Sequence, residues 1–203
     1  MTEPSKPDRR PLTSLATHNT PTGLAVSAWV RRWSHLVPAD GSVLDVACGS
    51  GRHARWFHER GCAVTAVDRD AAALRGLQGV ARTVLADIEG QPWPFHDETF
   101  SAVVVTNYLW RALLPDIARS VGAAGVLIYE TFAAGNASVG KPSNFDFLLR
   151  PGELMQFAAA HRLQVVAYED GFASSPERYL QRLVAVRPSA DAADAQRYPL
   201  DPP

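Results

Sequence analysis

Between Ser42 and Arg187 the chain alternates short apolar runs with stretches of helical period, and this alternation predicts a succession of βαβ units. The apolar runs predict strands over 42–47, 63–68, 82–86, 101–106 and 125–131. Helices are predicted between them over 52–60, which Gly61 ends, over 70–78, and from about 109 to 121. Short apolar strands alternating with helices belong to a parallel sheet covered on both faces. Pro151 suits a first helical position and Glu153 the positive end of a helix dipole, so a further helix is predicted over 151–160. Two extended stretches follow, Leu163 to Glu169 and Arg178 to Arg187, separated by a turn over 170–176, and they read as an antiparallel pair. The fold class is α/β: a doubly wound, Rossmann-like mixed sheet of seven strands, mostly parallel, with a C-terminal antiparallel hairpin.

Upstream of this core, Ala25, Trp29, Trp33 and Val37 recur every four residues, one face of a helix, until Pro38-Ala39-Asp40-Gly41 breaks the period. Phe132 to Arg150 is rich in Gly, Asn, Ser and Lys and has no period, and a loop of that length in a compact domain is usually functional or mobile. The expected organisation is a disordered or lid-like lead-in over 1–20, a single domain over 21–187 and a polar tail over 188–203.

The balance of charges narrows the partners. Twenty basic against twenty-one acidic side chains leave a formal net charge of −1, so no broad basic field exists to hold nucleic acid by its phosphates, and a small-molecule substrate fits better. Cys48 and Cys62 have neither metal-ligand spacing nor a disulfide framework, so no metal is expected and both read as reduced thiols. The polar, proline-bearing stretch from Met1 to Pro11 resembles neither a signal peptide nor a membrane anchor, and a cytoplasmic location is expected.

In a doubly wound sheet the ligand sits beyond the carboxyl ends of the strands, and these ends are polar here: Asp45 to Gly51, Asp68, Asp87-Ile88, Thr106-Asn107-Tyr108 and Glu130-Thr131. Gly49 and Gly51 form a turn that opens a helix, with no Cβ to keep a ligand away. That turn alone suits two chemistries. Its Gly49-x-Gly51-x-x-Ala54 spacing meets the relaxed dinucleotide pattern, whereas Asp45 within the strand suits the cationic amino group of S-adenosylmethionine. Asp68 is placed to accept two ribose hydroxyls in either case, against the simpler reading that it and Asp70 cap the next helix. Asp87 discriminates, because a nicotinamide enzyme has no standing need for a carboxylate after its third strand.

Together, residues 43–51, 67–68, 86–88, 92–107 and 125–132 resemble the ordered motifs of class I S-adenosylmethionine-dependent methyltransferases, and the resemblance spans roughly 40–187. Glu130-Thr131-Phe132, Gly140 to Asn144 and Phe147 to Leu154 resemble, more narrowly, bacterial tellurite-resistance-type methyltransferases. The resemblance implies S-adenosylmethionine as cofactor. It implies that Asp45 and the backbone of Ala47, Gly49 and Gly51 hold its methionine part, Asp68 the ribose, Asp87 and Ile88 the adenine, and the Asn107 carbonyl the amino group. Ser50, Arg69 and His53 complete the expected cofactor set, with His53 facing either the methionine carboxylate or solvent. Many family members carry glycine where this chain has Ala47, and an extended backbone there tolerates alanine.

Methyl transfer is an in-line displacement at a carbon that the sulfonium already activates, so the protein mainly aligns the reactants in a dry site. A general base matters only for a protonated oxygen or nitrogen acceptor. Glu130, Tyr108 and Arg111 are the candidate catalytic residues, with Tyr129, Lys141 and His18 as further groups near the acceptor. Trp29, Trp33 and Trp93 read as packing residues. An NAD(P)-dependent oxidoreductase and a non-catalytic cofactor-binding module stay open as alternatives at this level, and the acceptor and the oligomeric state are not readable.

Overall fold

The computed structural model describes residues 25–189 and 197–201. His18, the 1–20 lead-in and most of the 188–203 tail lie outside the described residues. Seven strands form one sheet in the order β3-β2-β1-β4-β5-β7-β6: β1 (Ser42–Val46), β2 (Ala63–Asp68), β3 (Arg82–Leu85), β4 (Phe100–Thr106), β5 (Val121–Phe132), β6 (Gln164–Ser174) and β7 (Glu177–Val186). The first five are parallel, and β7 runs antiparallel between β5 and β6. Among the described residues no helix is long and apolar enough to cross a membrane.

The central strands are apolar on both sides because both sides are covered. Val43, Ala102, Val104 and Ile128 pack on one face with α1 (Ala28–Trp33) and α2 (Arg52–Glu59). Leu44, Val103, Leu127 and Tyr129 pack on the other with α4 (Leu114–Arg119) and α5 (Glu153–Ala160). α1 begins at Ser27, whose hydroxyl accepts the N–H groups of Trp29 and Val30, a cap that contributes about 1 kcal/mol. Trp29 and Trp33 meet edge to face at 5.7 Å, and the Trp29 indole donates to the Leu183 carbonyl. Trp93 is likewise buried, its indole donating to Ser120. All three tryptophans are packing residues. Cys48 and Cys62 are buried free thiols.

Several expected elements are shorter or longer than their pattern suggests. α3 (Ala71–Arg75) is cut short at Gly76, and the helix expected over 109–121 is reduced to a 3₁₀ turn at Arg111–Leu113 followed by α4. β5 starts early, at Val121, with a register shift against β4. Gly125 permits this crowding, since a Cβ there would lie 2.8 Å from the Phe100 carbonyl oxygen. The turn expected over 170–176 is instead strand: β6 and β7 stay paired through Ser174↔Glu177, leaving only Ser175-Pro176 to turn. Asp170 and Gly171 read as breakers, but β6 is an edge strand whose solvent face tolerates both, and the Phe172 and Tyr179 rings pair across the ladder at 5.1 Å. The 132–150 segment carries two 3₁₀ turns, Asn136–Ser138 and Phe145–Phe147, and is tied back by the Ala133↔Leu149 bridge.

Candidate active site

The carboxyl ends of β1, β2 and β3 carry three aspartates held mainly by backbone N–H groups. Asp45 is 1% exposed and accepts the Ala54 N–H at 3.1 Å. Burial lifts its pKa to about 7, offset in part by that hydrogen bond and by the Arg52 charge. Asp68 accepts the Gly49 N–H at 2.7 Å with one oxygen and the Asp70 N–H at 2.9 Å with the other. Asp70, not Asp68, is the helix cap, receiving the N–H groups of Ala72 and Ala73. Asp87 accepts the N–H groups of Glu89 and Gly90 at 3.2 and 3.3 Å. Each carboxylate oxygen has two lone pairs, so these contacts fix the side chains without exhausting them.

The glycine turn divides its two glycines between different tasks. At Gly51 (φ 75°) a Cβ would come within 2.3 Å of the buried Leu77 side chain, so this glycine serves helix packing. At Gly49 (φ 53°) an added Cβ would meet nothing within 4 Å, so the space beside the backbone is open to a ligand. Ala47 departs from expectation. Its φ is 51°, in the left-handed region and not the extended one, which explains physically why glycine suits this position.

His53 is the second correction, since it faces neither a ligand nor solvent. It is 1% exposed, with Nε2 accepting the Ser27 N–H at 3.3 Å and Nδ1 therefore donating to Thr106 Oγ1, also at 3.3 Å. Burial, helped by Arg52, drives its pKa down to about 3, so it is neutral at physiological pH.

Two adjoining clefts open at this edge of the sheet. The first is lined by Ala47, Asp68, Arg69, Asp87, Ile88 and Glu89, with Tyr108 closing it. The second shares Glu89 and Tyr108 with the first and continues over Asn107, Leu109, Thr131, Phe132, Pro142 and Phe147. Asp45, Gly49, Ser50 and Gly51 form the floor and turn beside Ala47 without lining either cleft. The Tyr108 hydroxyl at the shared wall is shielded from solvent, with the Glu89 carboxylate beside it. Burial foremost, and then the charge and hydrogen bonding of Glu89, raises its pKa.

Of the three expected catalytic residues, only Tyr108 lines a cleft. Glu130 is 2% exposed, with one oxygen accepting from the Ser27 hydroxyl at 2.8 Å and the other paired with Arg182 at 2.6 Å. Arg182 also holds Glu169 and lies over the Trp29 ring. Arg111 makes a bidentate pair with Glu153 and donates to the carbonyls of Asp146 and Leu148, anchoring the 132–150 segment to α5. Glu130 and Arg111 therefore do not reach the cleft walls, because each is neutralised by a partner. Tyr129 is fully buried and donates to the Tyr108 carbonyl, while Lys141 is exposed beside Pro142. Among the described residues no group of His, Cys, Asp and Glu could hold a metal.

Carboxylates suited to an ammonium group and a ribose, open space over Gly49, and Ile88 beside Asp87 all fit S-adenosylmethionine. Residues 43–125 match the model of a methyltransferase domain. Over that domain the chain is similar to the class I S-adenosylmethionine-dependent methyltransferases. S-adenosylmethionine is accordingly its cofactor. The chain is 36% identical over 104 residues to the malonyl-[acyl-carrier protein] O-methyltransferase of Salmonella typhimurium, covering 47% of this chain and 40% of that protein. It thus spans about two fifths of the length of the curated relatives it matches. An S-adenosylmethionine-dependent methyltransferase of Methanosarcina mazei shares the fold at a TM-score of 0.63 and 14% identity, covering 82% of this chain and all of that one. TehB of Haemophilus influenzae does so at 0.58 and 19% identity, covering 73% of this chain and 58% of that one.

Sequence reasoning missed Ser27 and Arg182, which meet their partners only through the tertiary fold. It also missed Glu89, although its position two residues past Asp87 at a strand end was a usable signal.

Proposed function

We propose that this methyltransferase moves the S-adenosylmethionine methyl group to a small acceptor held in the second cleft, with the cofactor in the first. The observation that supports this reading is the shared wall: two clefts at the carboxyl edge of one sheet meet at Glu89 and Tyr108, so their occupants lie side by side. In the first cleft Asp68 would accept the ribose hydroxyls, Asp87 the adenine amino group with Ile88 against the ring, and Asp45, beneath the turn, the field of the ammonium group. When bound, the cofactor supplies a carbon activated by the adjoining sulfonium. The chain's own part is alignment and the exclusion of water, which supplies much of the rate in a displacement needing no protein nucleophile.

On this reading Glu130, Arg182 and Ser27 position the N-terminal helix against β5 and β7, and Arg111 with Glu153 positions the far wall of the acceptor cleft. Four residues behind the narrower resemblance to tellurite-resistance-type proteins, Thr131, Phe132, Pro142 and Phe147, are among those that line the second cleft. The matched relatives are named for methylating a malonyl group on a carrier protein. Here the acceptor is proposed as a free small molecule.

Titration calorimetry with S-adenosylhomocysteine tests the cofactor half. Asp68→Ala removes two charge-assisted hydrogen bonds to the ligand and should weaken binding about 100-fold, with the folded state checked by circular dichroism. Unchanged affinity would refute the ribose role. Incubation with isotopically labelled cofactor and a metabolite extract, read by mass spectrometry, tests the transfer itself, and a tightly bound cofactor with no labelled product would reduce the chain to a binding module.

A further inference from the structure

The second cleft has a one-sided chemistry. Tyr108, Leu109, Phe132, Pro142 and Phe147 supply an apolar, largely aromatic surface, and Phe147 is 41% exposed among the described residues. Asn107 and Thr131 are neutral. The single charge among the described lining residues is the Glu89 carboxylate, and none of those residues is cationic. Arg111 is engaged by Glu153 and two carbonyls and Arg182 by Glu130 and Glu169, while Lys141 stands exposed beside Pro142. Across the shared wall, Asp68 and Asp87 face the lone guanidinium of Arg69. Glu89, Asp68 and Asp87 against Arg69 and Lys141 leave the balance around the junction negative, which disfavours a carboxylate there.

The second observation is the Tyr108 hydroxyl. It is shielded from water at that same junction and hydrogen-bonds towards the Glu89 carboxylate. A hydroxyl that donates to a carboxylate keeps its oxygen lone pairs free to accept from an N–H donor on an occupant.

We infer that the acceptor is an amine on a flat apolar skeleton, its skeleton against Tyr108, Phe132 and Phe147 and its nitrogen between the Glu89 carboxylate and the Tyr108 hydroxyl. The inference rests on the proposed assignment of the two clefts. Charge attracts the amine and aromatic walls take its body, much as recognition sites for organic cations combine both. The amine bound as its cation would first give a proton to Glu89 and thence to water, so Glu89 both selects the acceptor and takes up its proton. The freed lone pair would then form the new C–N bond as the S–C electron pair returns to sulfur, which leaves as a neutral thioether, and the product would depart as a methylammonium ion. A malonyl-type carboxylate, the group named in the matched relatives, is the acceptor this cleft disfavours.

Phenethylamine and hydrocinnamate have nearly the same shape and opposite charge, and their binding to the full chain loaded with S-adenosylhomocysteine can be compared by saturation-transfer NMR. Loading is first verified by calorimetry, so failure to bind the cofactor product tells against the proposed function, whereas the acceptor preference tells against this inference alone. Phenethylamine should bind at least about tenfold more tightly, and Glu89→Lys should invert the order. Tyr108→Phe, which keeps the ring, should weaken the amine a few-fold without favouring the acid. Equal or tighter binding of hydrocinnamate, no binding of either probe, or an unchanged order in a folded Glu89→Lys protein overturns the inference.

Discussion

The two halves of the sheet's carboxyl edge hold their acids in opposite ways. On the β1-β2-β3 side, Asp45, Asp68 and Asp87 are fixed by backbone N–H groups and keep lone pairs free. On the β4-β5-β7 side, Glu130 and Glu153 are each clasped by an arginine. A carboxylate held by the backbone has a fixed direction but retains its net charge, and so it can still recruit a cation or accept from a sugar. One held by a guanidinium has its charge answered within the protein and serves chiefly to fasten elements together. An acid at a strand end is therefore a ligand contact or a clasp according to what holds it.

The largest expected effect breaks a clasp. Arg182→Ala leaves Glu130 buried without its cation and releases Glu169 as well, and removal of one partner from a buried pair costs about 3 kcal/mol or more. Urea denaturation should show that loss, while S-adenosylhomocysteine affinity of the folded protein stays near the wild-type value. A substantial fall in affinity with little loss of stability would reverse the distinction between the two halves.

The same distinction explains what was legible in the sequence. The left half is built from contacts between residues close along the chain, such as Asp87 with Glu89 and Gly90, or from a motif whose order fixes its geometry, such as Asp45 to Ala54. The acids at these strand ends could be read, though neither their backbone partners nor the strand order was. The right half depends on pairing register. Arg182 faces Glu130 in one ladder and Glu169 in the other, and nothing local to Arg182 announces either neighbour until β7 is placed between β5 and β6. Reading Asp170 to Pro176 as turn also shortened the hairpin that sets this register. His53 was misread for a related reason: its partners, Ser27 and Thr106, come from elements 26 residues upstream and 53 downstream.

A moderate effect sharpens the left half. Asp45 has a pKa of about 7 in the folded protein against an ordinary 3.8, so between these values the native state binds more protons than the unfolded one. The ligand-free protein should therefore lose stability as pH rises from about 4 to about 7 on this account. Cofactor binding should run the other way, because an ammonium group prefers the ionised carboxylate. S-adenosylhomocysteine affinity should rise up to about tenfold per pH unit toward pH 7, then level off until the ligand's own amino group titrates. His53 does not confuse the measurement, since burial keeps it neutral throughout this range. Asp45→Asn should flatten the slope, and calorimetry at about pH 6 and pH 7 on both proteins decides it.

The smallest effect concerns the turn that links Asp45 to the first cleft. Ala47 holds φ 51°, a conformation that costs an L-residue roughly 1–2 kcal/mol and costs glycine nothing. Ala47→Gly removes that strain but adds the conformational freedom of an unfolded glycine, which offsets about 0.5–1 kcal/mol of the gain. A net stabilisation of about 0.5 kcal/mol should follow, visible as a small rise in Tm and in the urea midpoint. Ala47 also lines the first cleft, so loss of its methyl group enlarges the space beside Asp68. If affinity for S-adenosylhomocysteine falls while stability rises, the methyl group packs on the ligand and the strain at Ala47 is retained for binding. If both rise, the alanine is a tolerated departure and the backbone alone shapes this half of the site.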